Sequence, residues 1–333
     1  MRPLNRIVLV AAAFAAAAFM ASPASAQATR TWISGVGDDA NPCSRTAPCK
    51  TFPGAITKTA AGGEIDCLDP GGFGGVTITK SITIDCASGP GGMVGSILVA
   101  GTNGITVFAQ STDLVKIRNL SINGIQKSGS GGLNGIKFNT GAGLIVEHVG
   151  IYGFGASSGA SGGTYAAVDF EPTVAAKLNM LDVDCQFGNG DGVMIKPTST
   201  GSATATLDRV SCMQNLGSGL RVDNVNLSSG NGTNVTVFDS NMSGNAGGII
   251  DSAVNVVSNV EVTDSVLSQN TGAGLAASGA KATIVIGGST VTGNPIGLAA
   301  GSSATIKTFQ DNYFYNGADG TVNGTPSGTV SKL

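Results

Sequence analysis

The sequence predicts an all-β protein: a single-stranded right-handed parallel β-helix (solenoid) of about ten coils with a short N-terminal capping helix. Three observations carry this prediction. An apolar-x-x-apolar-x-apolar triplet recurs with first members at Ile117, Val146, Leu178, Leu207, Val237, Val262 and Ile286, 24 to 32 residues apart. Each triplet is followed by a small polar turn and then a strand led by a small residue: Gly135-Ile136, Ala167-Val168, Gly192-Val193, Gly219-Leu220, Gly248-Ile249, Gly274-Leu275 and Gly297-Leu298. Gly numbers 51 of 333 residues, about twice the usual ~7% share, and aromatics are only 5%, which calls for many strands joined by tight turns. The segments are too short, too Gly-rich and too β-branched for helical repeats, and they alternate with period two. Coils stacked at about 4.8 Å would align the inward apolar positions into ladders.

The elements follow in chain order. Arg2 and Arg6 precede an apolar run from Ile7 to Met20, and Ala24-Ser25-Ala26 supplies a small-x-small cleavage site. Residues 1–26 therefore read as a secretory signal peptide, cleaved near Ala26, and the mature chain as secreted, periplasmic or cell-surface. No later apolar run is long enough to span a bilayer. Residues 27–63 read as an irregular lead-in and N-terminal cap, with a short amphipathic helix over Thr51 to Ala61 ended by Gly62-Gly63. Such a helix would cover the open end of the core. Strands are expected over Glu64 to Leu68, Val76 to Ile78, Ser81 to Cys86 and Ile97 to Val99. The β-helix runs over 64–316, with Phe309, Tyr313, Phe314 and Tyr315 closing its far end, and 317–333 form a tail.

Composition narrows the function. Without the two signal-peptide arginines the charge is 16 − 21 = −5, with 12% charged residues overall, so no broad basic surface exists for nucleic acid. Six cysteines in an exported chain point to disulfides. Cys43 and Cys49 flank a short loop. Cys67 and Cys86 sit in matching phrases, Ile65-Asp66-Cys67 and Ile84-Asp85-Cys86, which would meet if stacked. Cys185 and Cys212 lie in neighbouring coils, although Cys185 falls two positions beyond the residue that matches Cys212.

With the inward positions assigned, the outward residues of the Gly-led strands are Lys137, Asp169, Met194, Arg221, Ile250, Ala276 and Ala299, then Asn139, Glu171, Lys196, Asp223, Ser252 and Ser278. Coils in register would gather Asp169, Glu171, Lys196, Arg221 and Asp223 on one exposed face. Tyr152, Phe154, Tyr165 and Phe170 surround the longest insertion, Gly153 to Thr164, which would place Tyr165 on the wall of a groove beside that face. A second charged cluster comprises Asp182, Asp184 and Arg209, with Asp191 in the turn after. His148, the sole His, occupies the bend of its triplet at the position that neighbouring coils give to Asn119, Met180, Arg209 and Asp239. It reads as a surface turn residue, and no Gly-x-Ser-x-Gly elbow accompanies it.

The triplet and Gly-strand pattern from about Ile105 to Ala300 resembles the right-handed parallel β-helix repeat proteins of the pectate-lyase-like superfamily. The opening fits too: Pro48-Cys49-Lys50-Thr51-Phe52 with Ala55-Ile56, then Gly63-Glu64-Ile65 and Asp69-Pro70-Gly71-Gly72-Phe73. The resemblance implies a fold shared by lyases, hydrolases, epimerases and adhesins, and a site on an exposed parallel sheet near mid-helix. For a lyase it implies Lys196 or Arg221 as base or clamp, and Asp169, Glu171 and Asp223 as substrate-binding carboxylates or calcium ligands. The adjacent-Asp, Gly-His-Gly and Arg-x-Lys motifs of the polygalacturonase branch are missing, which argues against glycoside hydrolysis. Three functions are thus expected in order: recognition of polysaccharide or cell-surface glycan, calcium-assisted lysis of an acidic polysaccharide, and a structural or adhesin-like rod.

Overall fold

The structure, a computed structural model, describes residues 27–88, 92–93, 95–126, 131–155, 164–317, 324 and 326–331. The signal-peptide expectation and most of the insertion between Gly153 and Thr164 lie outside them. The chain is a parallel β-helix of about ten turns. One long sheet, 14-stranded, carries the first half of every triplet strand, and a 9-stranded sheet carries the Gly-led strands from Val76–Ile78 to Ile296–Gly301. Among the described residues every strand pairing is parallel except the small hairpin of Ala87–Ser88 with Gly92–Met93.

A single buried core fills the bore. Its ladders include Ile117, Val146, Met180, Leu207 and Val237 on one side and Ile136, Val168, Val193, Leu220 and Ile249 on the other. The leading glycines have a steric cause. A Cβ at Gly135 would stand 2.3 Å from Ile151, at Gly192 2.6 Å from Cys212 and at Gly219 2.9 Å from Met242. These three strands thus start where the next inward ladder residue leaves no room for a side chain, while the strand led by Ala167 accommodates a methyl group.

Two polar ladders hold the turns. Asn215, Asn245, Asn270, Asn294 and Asn316 are buried one above another; from Asn245 on, each Oδ1 accepts the backbone N–H of the Asn before it, and those of Asn245, Asn294 and Asn316 also accept its side-chain amide, for example Asn270 Nδ2 to Asn294 at 2.9 Å. Their amides also donate to the carbonyls of Cys185, Cys212, Met242, Leu267 and Val291, so turn groups that cannot reach water are satisfied. Ser240, Ser265 and Ser289 do the same at the middle triplet position, each Oγ accepting the backbone N–H of the coil before. Gly188, whose N–H donates to Asn215 Oδ1, holds the ladder position in its coil.

Several expectations are corrected. The helix is Phe52–Lys58, not Thr51 to Ala61. Thr51 caps it, its Oγ1 accepting from Gly54 N, and Asp39 clasps the cap through the N–H groups of Lys50 and Thr51. Thr59 starts the strand Thr59–Cys67, because its hydroxyl meets the buried Thr31 hydroxyl at 2.8 Å. The lead-in is not irregular throughout: Ala28–Ile33 is a strand paired with Thr59–Cys67. In the tail, Gly328–Thr329 pairs with Thr305–Thr308. At the far end Phe314 packs on the core, while Tyr313 and Tyr315 face outward.

The triplet starting at Leu178 is two residues out of register. Met180 aligns with Val146 and Leu207, so the inward set is Met180, Val183 and Cys185. Leu178 is also inward, one rung earlier, beside Leu144 and Ala205. The bend residue is consequently Asp182 rather than Met180, in line with Asn119, His148, Arg209, Asp239 and Asp264. All six have φ between 47° and 54°, a left-handed conformation that Asn, Asp and His tolerate best.

The same shift puts Cys185 directly beside Cys212. Cys43–Cys49 and Cys67–Cys86 are disulfides as expected, whereas Cys185 and Cys212 are free, buried thiols. Burial pushes the Cys212 thiol well above its ordinary pKa. Both cysteines pack as small apolar side chains, and Cys212 is held as the neutral thiol.

Candidate functional site

The strands Ile136–Thr140, Ala166–Phe170, Asp191–Ile195 and Ser218–Asp223 lie side by side in the 9-stranded sheet. Their alternation turns Ile136 and Phe138, Val168 and Phe170, Val193 and Ile195, and Leu220 and Val222 inward. Phe138 and Phe170 stack at 4.5 Å inside the bore, so Phe170 belongs to the core and not to a groove wall. The opposite face carries one column of Lys137, Asp169, Met194 and Arg221, in register as expected. A second column carries Asn139, Glu171, Lys196 and Asp223, each one residue beyond the last inward position.

This face is not simply exposed. Asp169 and Met194 have no accessible surface. Lys137 explains how a buried carboxylate is tolerated: its Nζ donates to Asp169 Oδ2 and Glu171 Oε2, both at 2.6 Å. Burial pushes the Asp169 carboxyl up to about 7 despite Lys137 and the more distant Lys196. Burial also works against the Lys137 ammonium, but the two carboxylates outweigh it and hold its pKa above the ordinary lysine value. Among the described residues Asp169 Oδ1 has no hydrogen-bond partner. Sequence reading placed Lys137 in this column but gave it no role, because the pairing depends on how the coils stack.

The other expected residues divide. Arg221 donates from Nε to Asp191 Oδ2 at 2.9 Å and from a terminal amine to Ser218 Oγ at 3.2 Å. Asp191, fully buried, also accepts the Ser218 backbone N–H. Arg221 is therefore clamped along the sheet, and Asp191 belongs to this face rather than to the Asp182 cluster. Asp223 accepts the Val225 N–H, closing the turn after its strand. Lys196 is half-buried and has no ion-pair partner among the described residues. Tyr165 is half-buried at the turn entering its strand, and its carbonyl accepts the Asp191 N–H at 2.9 Å.

The carboxylates do not converge on a cation. Lys196 occupies the column between Glu171 and Asp223, which puts those two about two coil steps, ~9.6 Å, apart. Calcium–oxygen bonds of about 2.4 Å cannot bridge that span. Lys137 already stands between Asp169 and Glu171. Among the described residues no group of three metal-ligating side chains could hold a metal ion.

The second cluster lies on the far edge of the coils, at the bends. Arg209 binds Asp182 through two nitrogens, at 2.6 and 3.2 Å, and Asp208 at 3.0 Å. His148 Nε2 lies 3.3 Å from Asp182, with both side chains open to solvent. Asp184, Asp85, Arg118 and Asn119 line a hollow of about 550 Å³ beside them. Ion pairs this exposed are screened and contribute little.

No protein-family model matches the sequence, and no curated protein matches it significantly. Among solved structures the chain is similar to the crystal structure of pectate lyase Pel9A, with a TM-score of 0.57 and 13% identity over 92% of this chain and 80% of that one. A rhamnogalacturonan lyase matches with a TM-score of 0.47 and 13% identity over 84% of this chain and 73% of that one. No helix among the described residues is long and apolar enough to cross a membrane. The chain has the pectate-lyase-like parallel β-helix fold.

Proposed function

We propose that this chain is an exported protein that recognises polysaccharide along the outer face of its 9-stranded sheet. The observation that carries this reading is the Lys137–Asp169–Glu171 linkage. It fixes an ammonium and a carboxylate at the rim of a straight strip, two coils and one coil from Lys196 respectively. A strip of fixed donors and acceptors repeating every ~4.8 Å suits an extended polymer better than a compact ligand. Two disulfides support an oxidising destination. Pectate is the substrate named for the fold neighbour Pel9A, which makes acidic polysaccharides the first class to test. Affinity electrophoresis through gels containing acidic or neutral polysaccharides should show retardation that Lys137→Met and Lys196→Met relieve. Equal mobility of all three proteins in every gel would refute the reading, and cell or matrix attachment without glycan preference would favour the rod.

A lyase on the same face is the second reading, favoured by Lys196, half-buried beside the Asp169 coil and without an ion-pair partner among the described residues. Asp169 itself reaches no substrate while fully buried, so Lys196 and Arg221 would have to act as base and clamp. Cleavage would appear as rising ultraviolet absorbance from unsaturated sugar ends, followed with calcium and with chelator. Lys196→Ala and Arg221→Ala should each abolish it; unchanged rates in both would remove this reading.

A further inference from the structure

The outer strip begins two coils before Lys137. Thr77 and Thr106 stand in the same column, in register with each other and with Lys137. Over these coils the strip deepens into a cavity of about 710 Å³, within the range of about 300–1,000 Å³ typical of ligand sites. Thr77 and Thr106 present hydroxyls there, and Asn103 presents its amide at one side. The Asn103 side chain is held in place, its amide donating to Thr106 Oγ1 at 3.3 Å and its Oδ1 accepting the Asn134 backbone and side-chain N–H groups at 3.2 and 3.1 Å. The apolar wall comes from Ile56 on the cap helix, Val99 and Leu133.

Among the described residues, none of those lining this cavity is charged. A carboxylate or ammonium entering it would shed water without a counter-charge, which is costly. A neutral sugar would lose little, since its hydroxyls meet Thr77, Thr106 and Asn103 and its apolar ring face meets Ile56, Val99 and Leu133. One coil further, Lys137 with Glu171, and then Lys196, reverse that preference. The change falls between Thr106 and Lys137, a single coil step of about 4.8 Å, close to the advance of one residue along an extended glycan.

We infer that the cavity at Thr77, Asn103 and Thr106 is a subsite for an uncharged sugar. The ligand is then a mixed polysaccharide, with a neutral residue towards the cap helix and a charged residue at Lys137 and Lys196. This inference rests on the polysaccharide reading above.

The test is titration calorimetry of the full protein with two sets of hexasaccharides. One set is uniformly acidic (oligogalacturonate and oligomannuronate), and the other alternates uronic acid with an uncharged sugar (hyaluronan and unsulfated chondroitin). At least one alternating hexamer should bind tenfold or more tighter than either uniform one. Thr77→Val with Thr106→Val keeps volume and strand preference. It should erase that advantage, bringing the ratio of the two sets' affinities to about one. Thr77 is exposed, so Thr77→Val alone provides a folded variant in which the advantage should shrink severalfold. Equal affinity for the two sets, or an advantage that survives in both variants, overturns the inference. If Lys137→Met still weakens binding in that case, the polysaccharide reading stands without it. No binding by any hexamer would remove both.

Discussion

Asp169 and Asp251 are both fully buried, and burial pushes both carboxyls up to about 7, yet they lie on opposite sides of one sheet. Asp169 is in the outward column and is held by Lys137, which ties it to Glu171 and the solvent rim. Asp251 is in the inward column, between Val222 and Ala277, and points into the bore. Among the described residues neither of its oxygens has a hydrogen-bond partner, nor does the Ser258 hydroxyl. The nearby Ser258 side chain and Thr283 backbone oppose the rise only weakly. The outward aspartate is thus part of an ionic arrangement that fixes surface groups. The inward one is a carboxylic acid that the core accommodates best when neutral. Burial and pKa alone do not distinguish a site from a weak point; the partners do.

The largest expected effect is at Lys137. Lys137→Met would leave Asp169 buried without its cation, costing on the order of 3 kcal/mol in urea denaturation at neutral pH. Adding Asp169→Asn should recover most of it, because the uncompensated charge goes with it. A loss below about 1 kcal/mol would mean that Asp169 is not held as a buried ion, and the contrast with Asp251 would collapse.

A smaller effect belongs to Asp251 and depends on pH. Its carboxyl keeps the proton to about 7 when folded but releases it near the ordinary value of 3.8 when unfolded. The stability it contributes is therefore complete below about 3.8 and is lost as pH rises through about 7. Asp251→Asn should remove this slope, so wild type and variant would diverge by on the order of 2 kcal/mol between pH 5 and pH 8. Parallel stability curves across that range would show that Asp251 is solvated or paired in the bore.

The smallest change is at the open end of the outward arrangement. Glu171 retains 22% side-chain exposure, and Glu171→Gln should cost less than about 1 kcal/mol. Its thermal midpoint should stay within a few degrees of wild type. A loss as large as that of Lys137→Met would make Glu171, rather than Asp169, the main anchor of the lysine.

Much of the fold was legible because the bore imposes one rule on every coil. The seven strands align as read: a side chain at Gly135, Gly192 or Gly219 would collide with the next ladder, and the one coil without a leading glycine has the small Ala167 there. The outward columns follow from that alignment, so Asp169, Glu171, Lys196, Arg221 and Asp223 do lie on one face, although Asp169 is covered there instead of exposed. What that face does was less legible. Nothing local in Ala167-Val168-Asp169-Phe170 says that an outward Asp will be covered, or that a lysine 32 residues earlier will cross to it. The Thr77 and Thr106 cavity was missed because its walls come from the cap helix and from two separated turns, and neutral hydroxyls leave no motif.

By itself the sequence determined the repeat, the inward and outward faces of the Gly-led strands and the two cross-links near the N-terminus. Each of these is written in local spacing: triplets, leading glycines, and cysteines in matching phrases. The tertiary structure alone decided the register of the coil holding Leu178, Met180 and Cys185, and the partners of the buried charges. A strand repeats every two residues, so a slip of two keeps the same faces inward and leaves no mark in the apolar pattern. Only the stacked coils, with Asp182 aligned to the other left-handed bends, remove that ambiguity.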